Sequence, residues 1–240
     1  GRLPEPEFIL QWIELQIACS KDLTGKKVLV TAGPTREDID PVRFITNHST
    51  GKMGYAIAKA AAWRGAETIL ITGPTSIKPP IGISTIKINS AEELYKKTTE
   101  LAPSCDAVFM TSAVADYRPA FISNEKIKKK DESLYLPLEK TKDILLELGA
   151  QKPNGQFLCG FSMETSNLLE NSRKKLINKR ADMIVANSII EEGAGFGGDT
   201  NIATLITKDR EIPVEKMTKD ALAHVILDMA AKHLNDGERE

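Results

Sequence analysis

At 240 residues the chain is long enough for one large domain or two small ones, and 41% hydrophobic with 27% charged residues is ordinary globular usage. Its 32 basic and 33 acidic side chains leave a net charge of -1, which excludes a whole-protein field for nucleic acid or for an anionic membrane surface. Three cysteines without repeated spacing, Cys19, Cys105 and Cys159, argue against a disulfide framework or a zinc site and read as reduced, mostly buried thiols of a cytoplasmic protein, and no apolar run approaches the roughly 18 residues that cross a bilayer.

Residues 1–24 read as a linker with a short amphipathic helix, peripheral to the core. Phe8, Ile9, Trp12, Ile13 and Leu15 recur at roughly helical spacing behind Pro4 and Pro6. The start has neither signal-peptide features nor an initiator Met, which points to a processed chain or one cut from a longer polypeptide. The main domain is then 25–240. Lys26 to Gly33 is a continuous apolar run ending in Gly-Pro, the pattern of a buried parallel strand. Met53, Ala56, Ile57, Ala60 and Ala61 mark a helix from Gly51 to Arg64, stopped by Gly65. Strands follow at 68–72 and 84–88. A helix spans 91–101, with Ser90 as N-cap and Glu93 completing a capping box. Further strands fall at 106–110, 157–160 and 183–186, the last two separated by a lysine-rich helix over 167–179. Residues 203–206 and 211–214 form a hairpin at a sheet edge, and a helix over 219–234 closes the chain. Strands alternating with helices predict a doubly wound, Rossmann-like α/β fold, with a mainly parallel sheet and helices on both faces.

In such a sheet the ligand crevice lies beyond the C-terminal ends of the strands. Gly33 sits at the first such end, where a glycine lets a ligand approach the backbone or merely makes a tight turn. Asn47 to Gly54 reads as an anion-gripping junction of loop and helix. Ser49 and Thr50 are placed to cap the helix, Gly51 and Gly54 clear the approach, and Lys52 adds charge to the helix dipole. An ordinary capped helix packed on the sheet through its glycines has the same pattern. It is not a Walker A loop, because Thr46 and Met53 stand where that motif needs Gly and Ser or Thr. Nor is it a dinucleotide fingerprint, since the second strand ends in Thr72-Gly73 without a ribose-binding carboxylate.

Asp116, after Ala113-Val114-Ala115, is placed to hold a ribose or a metal–phosphate group, or to pair with Arg118 in a turn. Lys126 to Lys130 suits a solvated loop, a nucleic-acid patch, which the neutral chain disfavours, or a flap over phosphates. Lys175 and Lys179 share one helix face, which the bland reading leaves solvated. No Ser-His-Asp, Cys-His or metal-ligand cluster is apparent. His224 and His233 read as surface or packing residues of the last helix.

Taken in order, these segments resemble the phosphopantothenoylcysteine synthetase family, the C-terminal half of a bacterial bifunctional coenzyme A biosynthesis protein. The resemblance runs from about Gly25 to the C-terminus. It rests on Thr31 to Glu37, Asp40 to Arg43, Asn47 to Gly54, Ala113 to Tyr117, Lys126 to Lys129 and Gly160-Phe161 with Glu164-Thr165. It implies a two-step ligation: 4'-phosphopantothenate attacks the α-phosphate of CTP to form an acyl-cytidylate, and L-cysteine then displaces CMP. Mg²⁺ would accompany the nucleotide, with Asp116 as its candidate ligand. By resemblance Asn47, Lys126 and Arg43 are catalytic. Met110, Thr111, Ser112, Ala113, Asp116, Lys126, Lys142, Asp143, Ile144, Leu145, Phe161, Lys175 and Lys179 match nucleotide positions. Gly33, Ser49, Thr50, Gly51 and Lys52 are the expected phosphate or substrate contacts. Thr141-Lys142 stands where many members carry Asn-Pro, and Ser112 where Ala is common. The opening Gly-Arg-Leu-Pro-Glu-Pro resembles the junction after a flavin-binding decarboxylase half, so no flavin is expected in this stretch. The family is a homodimer, and the 203–214 hairpin is the expected dimerisation edge. Two other readings remain at this point: a nicotinamide-dependent reductase, and a nucleotide-binding sensor without catalysis.

Overall fold

The computed structural model describes residues 3–129, 133–164, 166–188 and 197–236. Its centre is an eight-stranded sheet. In chain order the elements are α1 (Pro6–Ile17), β1 (Lys27–Ala32), β2 (Arg36–Asp38), β3 (Phe44–Thr46), α2 (Lys52–Trp63), β4 (Glu67–Thr72), β5 (Ile83–Lys87), α3 (Ala91–Leu101), β6 (Ala107–Met110), β7 (Tyr117–Pro119), β8 (Leu138–Lys140), α4 (Ile144–Gln151), β9 (Phe157–Glu164), α5 (Leu168–Asn178), β10 (Met183–Ser188), β11 (Thr200–Thr207), β12 (Glu211–Thr218) and α6 (Lys219–Asp236).

The sheet order is β12-β11-β10-β9-β6-β1-β4-β5. The strands from β10 to β5 pair in parallel, whereas β11 and β12 are antiparallel additions at one edge. From β1 the chain first builds outward through β4 and β5, then returns to lay β6 on the other side of β1. The switch point of this doubly wound sheet is therefore between β1 and β6. The central strands are buried on both faces, which is why they read as unbroken apolar runs. One face is covered by α2 and α6, around Ile57, Ala61, Leu222 and Ile226. The other is covered by α3, α4 and α5, around Leu94, Leu145, Leu148 and Leu176. Burying such aliphatic side chains is worth about 1.5–3 kcal/mol each, so the two layers hold the strand ends in fixed positions.

The alanine-rich stretch of α2 lets that helix lie close to β1. A Cβ at Gly54 would come within 2.6 Å of the Ala32 Cβ. Helix α1 has no buried residue and lies outside the core, as its weak apolar stripe implies. Cys105 and Cys159 are buried, and His233 packs on Phe157 with ring centroids 5.3 Å apart.

Five short elements escape the periodicity of the sequence. The antiparallel pairs β2–β3 and β7–β8 form two small sheets, and α4 starts at an Asp143 cap. Strands of three residues are too short to show alternation, and β8 is exposed at every position. Thr165, which is part of the family pattern, and Lys130, the last of the lysine run, lie outside the described residues.

Candidate active site

The ends of β1 and β6 are fastened together past the strands themselves. The Thr31 hydroxyl accepts hydrogen bonds from the amides of Thr111 (3.1 Å) and Ser112 (3.2 Å). The Ala113 amide donates to the Gly33 carbonyl at 3.0 Å, and the Ala115 amide to the buried Thr35 hydroxyl at 3.0 Å. Asn47 Nδ2 donates to the Val114 carbonyl at 2.8 Å, tying the loop before α2 to the loop after β6. Thr141 joins the same frame, its hydroxyl donating to the Ala115 carbonyl at 2.7 Å and its amide to the Asp116 carbonyl at 2.9 Å.

A cavity of about 740 Å³ opens over this frame. It brings together Asn47, Ser49, Thr50, Gly51 and Lys52 before α2, Met110, Thr111, Ser112, Ala113 and Asp116 after β6, and Lys142, Asp143, Ile144 and Leu145 at the start of α4. Phe161 of β9 and Lys175 and Lys179 of α5 complete the far wall. These residues are the expected nucleotide and phosphate positions apart from Lys126 and Gly33. The solvated-face reading of Lys175 and Lys179 does not hold, because both are half-buried and line the cavity.

Six lysines border the cavity (Lys52, Lys140, Lys142, Lys175, Lys179 and Lys219) against two carboxylates, Asp116 and Asp143. In a chain of net charge -1 this is a local concentration of positive charge. Lys175 donates to the Phe161 carbonyl at 2.7 Å, and burial pushes its pKa down, with attraction from Asp143 and Glu164 opposing. Burial also lowers Lys219, and its neighbour Lys52 of like charge adds to the effect. Lys179 pairs with Asp143, and Lys142 lies 4.1 Å over the Tyr95 ring. Lys52 bonds to Asp199 at 2.7 Å and to the Gly197 carbonyl at 2.8 Å, so its charge is partly engaged within the chain.

The cap on α2 differs from the expected one. Gly51 itself is the N-cap, in the left-handed region at φ 80°, and no side chain caps the helix. Ser49 Oγ instead accepts the Gly51 amide at 3.3 Å, closing a turn one step too early to reach the first helical turn. Gly33, at φ 75°, does not line the cavity. Its close approach is to the chain itself, since a Cβ there would lie 2.7 Å from Thr75 Cγ2.

Arg43 and Lys126 also lie outside the cavity wall. Arg43 bonds to Asp40 through Nε at 2.9 Å and also through Nη2, which donates as well to the Ile127 carbonyl at 2.7 Å. The Asp40 carboxylate is buried and accepts the amides of Val42, Arg43 and Ile127. The Arg43 guanidinium, helped by these amides, holds its carboxyl far below the usual range against the cost of desolvation. The exposed Lys126 is therefore carried on a loop latched at Ile127 to the β2–β3 hairpin. Arg118 pairs with Glu139 at 2.8 Å, so the turn pairing with Asp116 is not made.

Sequence reasoning missed Lys140 and Lys219, and the buried pair Asn187 and Asn201, joined at 3.0 Å in the wall. Lys219 opens α6 and reaches the cavity only because β11 and β12 turn the chain back. Its place just before a long apolar helix carried no separate signal. Among the described residues no group of three His, Cys, Asp or Glu is gathered for a metal, and no helix is long and apolar enough to cross a membrane.

Fold and site define a Rossmann-like α/β protein with a lysine-lined cavity at the switch point of its sheet. The profile of the family described as the DNA/pantothenate metabolism flavoprotein C-terminal domain matches residues 23–234. The chain belongs to that family. It is 46% identical over its whole length to the coenzyme A biosynthesis bifunctional protein CoaBC of Bacillus subtilis, and 35% identical to that of Escherichia coli. It spans 60% of the length of each. The crystal structure of the C-terminal domain of a CoaBC protein superposes with a TM-score of 0.78 at 44% identity, over 90% of this chain and 100% of that one. A Cab2 H337A variant in complex with phosphopantothenate-cysteine shares the fold, with a TM-score of 0.73 at 14% identity over 98% of this chain and 97% of that one.

Proposed function

We propose that this chain is a phosphopantothenate–cysteine ligase, joining 4'-phosphopantothenate and L-cysteine with CTP converted to CMP and pyrophosphate. The observation that carries the reading is the wall of six lysines at the switch point, in a chain otherwise balanced in charge. Both reactants of the first step are anions, so the site must offset their repulsion and stabilise charge developing on phosphorus. The pantothenate carboxylate attacks the α-phosphorus, the bond to the β-phosphate oxygen breaks, and pyrophosphate leaves. The cysteine amine then attacks the acyl carbon, an amide forms, CMP leaves, and the amine loses a proton. Asn47, held against Val114, is positioned to contact the acyl group of the mixed anhydride. Lys175 and Lys179 supply charge to the nucleotide side. Lys126 and Arg43 act from the latched loop and the β2–β3 hairpin.

Mg²⁺ fits the site as an ion shared with substrate. It is commonly held by one or two carboxylates plus phosphates rather than by a protein cage, and exposed Asp116 lines the cavity. When bound it would neutralise phosphate charge. We assign the protein to the cytoplasm, and in its full length to a fusion with a flavin-dependent decarboxylase half, in keeping with the bifunctional relatives. The homodimer belongs to the same reading. Exposed apolar side chains gather on the two small sheets and their loops, at Val42, Phe44, Tyr117, Phe121, Ile122 and Leu138. That exposure favours these sheets over the β11–β12 hairpin as the dimer contact.

The direct test supplies 4'-phosphopantothenate, L-cysteine, Mg²⁺ and each nucleoside triphosphate in turn, and follows pyrophosphate. Release with CTP is expected. No release with any nucleotide would overturn the ligase reading.

A further inference from the structure

Three consecutive residues ahead of β11 hold two of the cavity's lysines. Lys52 Nζ donates to the Gly197 carbonyl at 2.8 Å and to Asp199 Oδ1 at 2.7 Å. Lys219 Nζ donates to the Gly198 carbonyl, and the Lys219 amide to the Asp199 carbonyl at 2.9 Å. Both lysines line the first cavity and also a second one of about 620 Å³, set between α1, α2 and the start of α6, whereas Asp199 lines only the second. We propose that Asp199 is a positioning residue that acts through Lys52. It commits the Lys52 ammonium to a partner outside the first cavity until a phosphate group takes its place, and so weakens the grip of the site on phosphate ligands, the leaving pyrophosphate included. This rests on the reading of the first cavity as the seat of phosphate groups.

Two ammonium groups set close together repel, and the charge of Lys52 adds to the burial that lowers the Lys219 pKa. A counter-ion relieves that repulsion. The Gly197 and Gly198 carbonyls bring only dipoles, so Asp199 supplies the full negative charge in this loop. Its hydrogen bond to Lys52 in turn holds the carboxyl below its usual range. The pair is nevertheless open to solvent, with the Asp199 side chain 86% exposed and that of Lys52 36% exposed. Such a pair adds little to folding, so it opens at little cost. Water rehydrates the released carboxylate, and the flexible four-carbon stem of Lys52 need only turn to meet the new anion. No proton moves, because both groups stay ionised and one anion replaces another. A phosphate group with two charges outcompetes a single carboxylate, yet must give back the energy of the pair it breaks. Without Asp199 the site would hold pyrophosphate more tightly and release it more slowly.

The test is the affinity for inorganic pyrophosphate, measured by calorimetry with no nucleotide or cysteine present. Asp199→Asn should lower the dissociation constant roughly two- to fivefold, the range of an exposed ion pair. Asp199→Glu keeps the charge and should restore the original value. In a Lys52→Met background Asp199→Asn should change nothing, because the lysine it acts through is gone. A merely structural Asp199 would loosen the loop ahead of β11 and weaken binding, which is the opposite sign. Unchanged or weaker pyrophosphate binding in Asp199→Asn would therefore overturn the proposal. So would the same tightening in the Lys52→Met background, which would reduce Asp199 to a diffuse surface charge. Pyrophosphate release from CTP by the unsubstituted protein is read separately. Release with unchanged Asp199→Asn affinity leaves the ligase standing and removes Asp199 from it. Tightened binding without release supports the exchange at Lys52 and overturns the ligase.

Discussion

Helices α2 and α3 begin in opposite ways. At α3 the Ser90 hydroxyl accepts the Glu93 amide at 3.2 Å, Glu93 reaches back to the Asn89 amide at 2.7 Å, and Glu37 takes the Ala91 amide at 2.8 Å. Two acidic residues occupy its first turn. At α2 no side chain caps the helix, the first turn has no acidic residue, and the N-cap is a glycine. The first helix end is saturated by its own chain and serves stability. The second has no side-chain cap and faces the lysine-lined cavity, which is where the proposed function would seat an anion. A helix N-terminus thus marks a site only when its chain declines to satisfy it.

The largest effect is expected just ahead of the open end. Asn47→Asp removes the amide donor and puts a negative charge beside an anionic intermediate. The pyrophosphate burst should persist while amide formation falls about 10²-fold or more, the scale of losing one well-placed donor. Normal product formation would remove Asn47 from the second step. Next comes Gly51→Ala. A left-handed backbone costs a non-glycine residue about 1–2 kcal/mol. The added Cβ would also lie 2.9 Å from Thr75 Cγ2 and 3.2 Å from the Gly33 amide nitrogen. Denaturant unfolding should show a loss of about 2 kcal/mol, together with a raised KM for substrate. If KM stayed put, the opening of α2 would not be part of the site.

Ser90→Ala tests the saturated end. It should cost about 1 kcal/mol of stability and leave every KM unchanged, and a shift in KM would erase the contrast between the two helices. The smallest effect concerns Lys175, whose pKa burial lowers. Its folded value lies below its unfolded one, so the charged form costs stability at neutral pH, and that cost fades as pH rises through the folded value. Nucleotide binding runs the other way, because it needs the charge. KM for CTP should therefore climb a few-fold on the alkaline side at a pH below the ordinary lysine range, and Lys175→Met should flatten that rise. A pH-independent KM would assign the anion affinity to α2 rather than to α5.

Much of this molecule was legible from the chain. The runs that became β1, β4, β6 and β10 are buried on both faces, so each is apolar without interruption. The helix α2 showed itself through spacing, α3 through its capping box, and α5 and α6 through their place between and after the strands. The small sheets did not, since β2, β3, β7 and β8 are three residues each and take their form from pairing with one another. The α4 helix was missed for its eight residues, although Asp143 ahead of Ile144, Leu145 and Leu148 was a usable signal. Within the site, the loop before α2 and the residues after β6 were recognisable by position, because strand ends in a doubly wound sheet face the crevice. Gly33 met that rule and still fell outside the wall, filling a contact with Thr75 instead.

By itself, then, the sequence determined the layers, since periodicity records which faces of each element must leave water. It also determined that α3 is capped, because a capping box is a matter of three or four neighbouring residues. Only the tertiary structure decided that Ser49 turns back to Gly51 and leaves α2 open, that Lys219 joins Lys52 and Lys175 around one cavity, and that Arg43 holds the Ile127 loop through Asp40. The last two outcomes depend on groups far apart in the chain coming together. Strand order and crossover set that approach, and no local pattern of residues records it.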